Sequence, residues 1–541
     1  MSQHADVILS RGTIWRGLGL PLAEALALRD GRVMAVGSDA GIAALKGPAT
    51  TVVDLDGRLA TPGLYDAHMH LLPLGLAMGQ VDLRPCVVAT LDGLLDALRA
   101  RAQGTPTGEW ILGRGYDHFQ LDVGRHPHRD ELDAACPDHP VYVVRTDGHL
   151  AVANSRALAL AGIDENTPSP EGGLIERREG RLTGVVAETG RERIARILPR
   201  NSIERMVEAI ELAGRSLLAH GVTSIMEAAI GLHEGWTEME AYRRARREGR
   251  LPVRTYGCLM ADKTRTILPQ AIAEGLATGH GDEMLRIGPV KMFTDGSAGS
   301  KTAAMTRDYL GDPGNRGLLC IPDQSELDRM VREAHDAGFQ MGIHAIGDAA
   351  IEETLNAIEA AMEANPAPDR RHRIEHCGWL RPDQMERMAR LSVLPVPQPS
   401  FLYWFGDLYL TVVEKERAAA SHPFRDWIAK GLNPSASTDC PVTEIAPLPV
   451  IYNLVTRKTR TGTVIGPEQR LSIEEALHAY TSASAYASHE ERLKGRFEVG
   501  MLGDVAVFDR DLLTIDPEDI LNARCDMTIR GGEIVYRREA A

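Results

Sequence analysis

Two textures of hydrophobic and polar positions divide the chain. Residues 5–60 run as short apolar stretches broken by turn signals, "DVILSRGTIW", "ALALRDGRVMAVG" and "TVVDLDGRLATPG". The Asp-Gly pairs at 30–31 and 56–57 predict hairpins. The C-terminal stretch repeats this texture in "GDVAVFDRDL" and "DMTIRGGEIVYRR", with a Gly-Gly turn at 531–532. The two ends together predict a small β-sandwich built from residues 1–60 and 486–541. From residue 203 onward, apolar strands alternate with helical patterns. The strands are "GVTSIMEA", "PVRTYGCLM", "IGPVKMFTDG", "FQMGIHAIG", "RHRIEHC", "VLPVPQPS" and "NPSASTDC". Among the helical patterns between them are "SELDRMVREAHDAG" and "DAAIEETLNAIEAAMEA". With "GLYDAHMH" at the front, eight strands are expected, and strand–helix alternation of this length predicts an α/β fold, a closed parallel (β/α)8 barrel over 61–74 and 206–485. An open doubly wound sheet is the structural alternative, but no GxGxxG follows a first strand. About 150 residues separate His70 from the second strand, more than a barrel loop needs, so residues 75–205 are expected to form an inserted α+β domain.

Composition narrows the partners. The chain has 541 residues, 44% hydrophobic and 25% charged, with a net charge of −15, and no basic stripe, which argues against nucleic acid and anionic membrane. No run approaches eighteen apolar residues, so no spanning helix is expected. The start lacks a basic segment leading into an apolar run, and the seven cysteines form no CxxC pair. A cytoplasmic protein without a disulfide framework is therefore expected. A homodimer is the expected assembly, on size and charge alone.

The chemistry gathers at strand ends. His68 and His70 are two apart, so on a strand both imidazoles face one side. Lys291 and Asp295 accompany the fourth strand, His344 ends the fifth, His376 the sixth and Asp439 the eighth. Each alone reads as a satisfied polar residue. Jointly, in a chain with 18 histidines, they place imidazole and carboxylate at the C-terminal ends of barrel strands, where barrel active sites lie and where zinc-like ions bind.

The pieces "TPGLYDAHMH", "VKMFTDGS", "HAIGD", "RIEHC", "STDCPV", "DGHLAVANSRAL" and "GDVAVFD" resemble those of the amidohydrolase superfamily, in its amidohydrolase-3 branch of YtcJ-like and N-substituted formamide deformylase proteins. The resemblance implies a TIM-type metal-hydrolase barrel with two divalent metal ions, zinc being expected. His68 and His70 would bind one ion with Asp439, and His344 and His376 the second. Lys291 would bridge the two as a carbamate, a lysine amine beside cations being readily neutral. If Lys291 instead pairs with Asp295, the site is mononuclear, on His68, His70, His344 and Asp439.

The implied reaction is hydrolysis of a non-peptide C–N bond, in an amide or N-substituted formamide, by a metal-activated hydroxide, with Asp439, His376 and Lys291 as the catalytic set and Asp439 as base and then acid. The alternatives are a mononuclear zinc deaminase of a heterocycle and a non-catalytic binding barrel. A small-molecule substrate is expected. Its contacts are assigned to His149 and Arg114 in the insert (with Tyr116 beside it), to Phe293 and Asp295, and to Tyr403 and Trp404 in the aromatic run "SFLYWFGDLY". That run can equally serve as packing.

Overall fold

Apolar residues at 327, 330, 331 and 334 follow the helical period, and the helix Gln324–Asp336 buries that stripe as Leu327, Met330, Val331 and Ala334, adding His335. Asp323 caps it by accepting from Ser325 N. The helices Trp236–Arg247, Asp348–Ala364 and Pro382–Leu391 bury equivalent stripes.

The computed structural model describes residues 4–85, 87–145, 150–170, 173–263 and 265–539. The chain divides into two units, Met1–Leu71 with Ile210–Ala541, and Leu72–Ala209. The first contains an all-parallel sheet of seven strands: β1 (Leu64–Met69), β2 (Val222–Ile230), β3 (Arg254–Met260), β4 (Leu285–Phe293), β5 (Met341–Ala345), β6 (Arg373–His376) and β7 (Leu394–Val396). Each pairs with its sequence neighbour, and every residue of β2 and β3 is buried, as in a sheet covered on both faces. This is a nearly closed TIM-type α/β barrel.

The eighth strand expected over 433–440 is not a strand. Leu394 N donates to His372 O, so alternate positions of β7 point away from β6, and those positions, 395 and 397, are prolines without an N–H. Side chains bridge this seam. Ser437 Oγ donates to Pro397 O (2.9 Å), Gln398 Nε2 to Ser437 Oγ (3.2 Å) and Ser400 Oγ to Thr438 O (3.0 Å). On the other side the segment meets β1 through Ala67 N to Ala436 O (3.2 Å), Asp439 N to His68 O (2.8 Å) and His70 N to Cys440 O (2.7 Å). Asp66 strengthens this edge, accepting from Thr438 N (3.1 Å) and Thr438 Oγ1 (2.7 Å). The sheet circuit thus brings residue 439 beside residue 68.

At the N-terminal ends of the strands lies a buried charged floor. Arg254 donates twice to Asp504 (2.7 and 3.0 Å), which also accepts from Gly531 N (2.7 Å). Lys494 pairs with Glu490 (2.9 Å) and donates to Ser224 Oγ (3.1 Å), while Tyr65 OH donates to Glu490 (3.1 Å).

Both termini feed two further sheets. Val7–Ser10, Ala25–Arg29, Arg32–Gly37 and Thr51–Asp54 form one; Thr13–Ile14, Leu59–Pro62, Val505–Phe508, Cys525–Arg530 and Glu533–Arg537 form the other. Leu9, Leu26, Leu28 and Val53 of the first share an apolar core with Ile14, Ala60, Val505 and Ile529 of the second. The turns at 30–31 and 531–532 join antiparallel neighbours. The hairpin expected at 56–57 is absent, because its flanking strands belong to different sheets. Asp56 and Gly57 do take the left-handed backbone (φ 47° and 78°), but that geometry reverses the chain without choosing its partner.

The second unit carries a six-stranded sheet, in the order Gly173–Arg178, Arg181–Glu188, Leu150–Ala153, Val141–Arg145, Ile111–Tyr116, Val81–Asp82. The helix Leu91–Gln103 buries Leu91, Leu94, Leu95 and Leu98 in its core. Among the described residues, no helix is long and apolar enough to cross a membrane.

Candidate metal centre

Barrel strands deliver the histidines to one end. His68 and His70 come from β1 and the residue after it, Lys291 from β4, His344 from β5 and His376 from the last position of β6. One ligand atom each from His68, His70 and Asp439 lie within 4.8 Å of one another. Asp439 Oδ1 is 3.4 Å from His68 Nε2 and 3.2 Å from His70 Nε2. The His376 ring lies 5.0 Å from that of His68 and 4.3 Å from that of His344, between centroids.

Backbone strain helps to aim these groups. His376, Cys377 and Asp439 have φ of 71°, 48° and 56°, a region that costs a non-glycine residue about 1–3 kcal/mol. On β6 the alternation that turns Arg373 and Glu375 inward would turn residue 376 outward. The left-handed backbone at the strand end breaks that alternation and brings the His376 ring to its neighbours.

The far nitrogen of three imidazoles has an acceptor. His68 Nδ1 donates to Glu375 Oε2 (2.5 Å), His376 Nδ1 to Gln398 Oε1 (2.6 Å) and His344 Nε2 to Gly296 O (3.0 Å). His70 Nδ1 has no hydrogen-bond partner and lies 3.8 Å from Glu227 Oε1. A neutral imidazole that donates on one side keeps a lone pair on the other. His68 Nε2 and Asp439 Oδ1, both buried, likewise lack hydrogen-bond partners. Acceptors facing one another in this way fit a cation between them.

Charges follow the same division. Burial would raise the Asp439 carboxyl, but a proton or cation held between it and the facing His68 and His70 imidazoles outweighs burial and keeps it well below the usual range. Burial pushes His376 well down, aided by the neighbouring His344, so it is neutral. Burial likewise lowers the Lys291 ammonium, against the opposing pull of Glu375 and Asp439. Burial opposes ionisation of Glu375, yet Arg373 and His68 bring its carboxyl down to about 2.

Of the substrate-facing residues expected from sequence, Phe293 lies in the site. Its ring is 4.8 Å from Lys291 Nζ and 5.2 Å from the His344 ring. Asp295 is committed to the scaffold: Oδ1 accepts from Ile346 N (3.0 Å), and Oδ2 from Ala304 N (2.9 Å) and Gly347 N (2.8 Å), with His344 Nε2 3.2 Å from Oδ1. Among the described residues Lys291 forms no ion pair, with Asp295 or any other carboxylate. Tyr403 and Trp404 lie on the helix Pro399–Val412, packed on each other at 5.1 Å, with Tyr403 also against Tyr452. The aromatic that meets the histidines is Phe401, stacked on His376 at 5.8 Å and 12°, with Phe405 behind it. Arg114 and Tyr116 lie on a strand of the second unit, Ile111–Tyr116. His149 lies outside the described residues. Sequence reasoning missed Glu375, Gln398 and Glu227. The available signal was "RIEHC", whose Arg and Glu two apart in a doubly covered strand must be paired.

A family model described as "Amidohydrolase family" matches residues 51–536. The protein LONG AFTER FAR-RED 3 of Arabidopsis thaliana is 32% identical over 546 residues, spanning 98% of this chain and 92% of its own. N-substituted formamide deformylase of Arthrobacter pascens is 28% identical over 529 residues, 95% of each chain. A crystal structure of an uncharacterized metal-dependent hydrolase from Pyrococcus horikoshii OT3 superposes with a TM-score of 0.77 at 30% identity, covering 95% of this chain and 99% of that one. Strand-end histidines, a closing aspartate and a match over most of its length lead to one conclusion: the chain belongs to the amidohydrolase family.

Proposed function

We infer that the chain is a metal-dependent hydrolase that cleaves a non-peptide C–N bond, in an amide or N-substituted formamide, with two divalent ions held by His68, His70, Lys291, His344, His376 and Asp439. The observation that carries this reading is the pair of buried acceptors without hydrogen-bond partners, His68 Nε2 and Asp439 Oδ1, together with buried Lys291, which has no ion pair among the described residues. Imidazole and carboxylate suit zinc. Ions bound there supply Lewis acidity to the scissile carbonyl and to the attacking water. The similarity to a deformylase and to a solved metal-dependent hydrolase supports the class of reaction.

The chain's own groups supply the rest. Asp439 takes the proton of the attacking water and returns it to the departing nitrogen. Lys291, whose burial favours the neutral amine, would add carbon dioxide and release a proton, and the resulting carbamate would supply anionic oxygen ligands to the ions. Phe293 and Phe401 wall the histidines and exclude water from them. Elemental analysis of protein purified without chelator tests this reading. About two ions per chain support it, one removes the bridging role from Lys291 and favours a mononuclear deaminase, and none after reconstitution overturns it.

A further inference from the structure

We propose that Glu375, clamped by Arg373, is the positioning residue for His68: this buried pair fixes which nitrogen of His68 faces Asp439 and thereby sets how tightly the site holds metal. The proposal rests on the metal reading above.

All three side chains are fully buried, at 0% exposure. Arg373 Nε donates to Glu375 Oε1 (2.5 Å) and its NH2 to Glu375 Oε2 (3.0 Å), which would already satisfy a structural ion pair. Two further contacts exceed that need. Glu375 Oε2 reaches His68 Nδ1 at 2.5 Å, and Arg373 NH2 also donates to Ala67 O at 2.6 Å. The pair therefore grips both the ring of His68 and the peptide that leads into it. An ionised carboxylate can only accept, so the proton of a neutral His68 is placed on Nδ1, and the lone pair on Nε2 faces Asp439.

The other imidazoles are treated differently. His376 has an amide oxygen behind it, His344 a peptide oxygen with Asp295 Oδ1 3.2 Å from the same nitrogen, and His70 Nδ1 no hydrogen-bond partner, with Glu227 Oε1 3.8 Å away. A carboxylate makes its imidazole a more basic ligand through charge, and Glu375 does so at 2.5 Å from His68, whereas Asp295 beside His344 is already taken up by three backbone amides. His68 is thus the anchor of the ligand set, and Glu375 with Arg373 is its support.

The test is a titration of the metal-free full chain with Co2+, read by the visible absorption of the bound ion and by competition with a chelator. Glu375→Gln alone leaves the buried Arg373 without its counter-charge and can unfold the protein. The double variant R373M/E375Q removes both charges at once and keeps the test decisive. Folding is checked by circular dichroism and the melting temperature. The expected result for the folded double variant is Co2+ binding about 10- to 100-fold weaker than the parent, with an altered cobalt spectrum. The control R254M/D504M removes a buried pair at the barrel floor and is expected to bind Co2+ within about twofold of the parent. A folded R373M/E375Q that binds as tightly as the parent overturns the proposal. A parent chain that binds no Co2+ overturns the metal reading itself, a distinguishable outcome.

Discussion

The two ends of the barrel bury charge in opposite ways. At the floor, Arg254 and Asp504 meet in a two-bond pair, and Lys494, Glu490 and Tyr65 saturate one another. At the mouth, Asp439 Oδ1 and His68 Nε2 have no hydrogen-bond partner, Lys291 has no ion pair among the described residues, and the backbone at His376 and Asp439 is left-handed. Both regions are equally removed from water, so burial does not distinguish them. Satisfaction does: a buried charge with its partners in place holds structure together, and one without them is waiting for a ligand.

Four substitutions or conditions should separate the ends, and the largest effect belongs to the mouth. Asp439→Asn keeps the size of the side chain but removes the base, so turnover of an amide substrate should fall by about 10²- to 10⁴-fold, with little change in melting temperature. Steady-state kinetics and a thermal melt measure the two sides of that statement. Next comes the floor. Asp504→Asn leaves Arg254 buried without its carboxylate and should cost about 3–5 kcal/mol in urea unfolding, while metal content per chain stays at the parent value.

Lys291→Met should invert the usual expectation for a buried polar residue. No partner charge is left behind, so the metal-free variant should be about 1 kcal/mol more stable than the parent, with one bound ion fewer. Lower stability with unchanged metal content would place Lys291 with the floor residues instead.

Acid spreads a further contrast over several pH units. Burial, with Arg457 beside it, brings His422 from its ordinary 6.5 down to about 3. Below pH 6.5 the unfolded chain takes up this proton and the folded one does not, so the contribution of His422 is complete above 6.5 and is lost progressively as pH falls toward 3. Asp504 is buried, which raises it, but Arg254 outweighs that and holds it below 3.8, so the floor does not respond until the solution is more acid. Asp66, raised by burial to about 6, opposes the trend below that pH. Comparing the parent with His422→Leu isolates the residue. Between pH 6.5 and 5 the parent should lose up to about 1.4 kcal/mol per pH unit more than the variant, measured by urea unfolding at each pH.

How much of this was legible in the sequence depended on which interactions are periodic. The seven barrel strands stand out because a parallel strand covered on both faces is a continuous apolar run, and the strand-end position of His68, His70, His344 and His376 follows from the same runs. The eighth segment misled because its apolar and small residues look like a strand, whereas Pro395 and Pro397 on its neighbour remove the donors a ladder needs. Asp439 nevertheless comes to lie beside His68, since "STDC" closes that segment whether or not it forms a ladder. Asp295 shows the limit from the other side: a carboxylate near a cationic residue reads as its partner, but here backbone amides from two loops claim it. Glu375 and Gln398 were invisible as supports because which residue stands behind which imidazole is decided across strands, at separations of 307 and 22 residues.

The seam beside β7 also has a meaning in time. His68 and His70 leave the ribosome early, on the first strand of the barrel, whereas Asp439 N meets His68 O only after some 370 more residues have been made. Until then the nascent chain holds two histidines without their carboxylate, and the gap between β7 and β1 stands open. Assembly of the site and closure of the barrel are therefore one event, late in synthesis, and a chain cut short before residue 439 carries an unfinished barrel and an incomplete ligand set together.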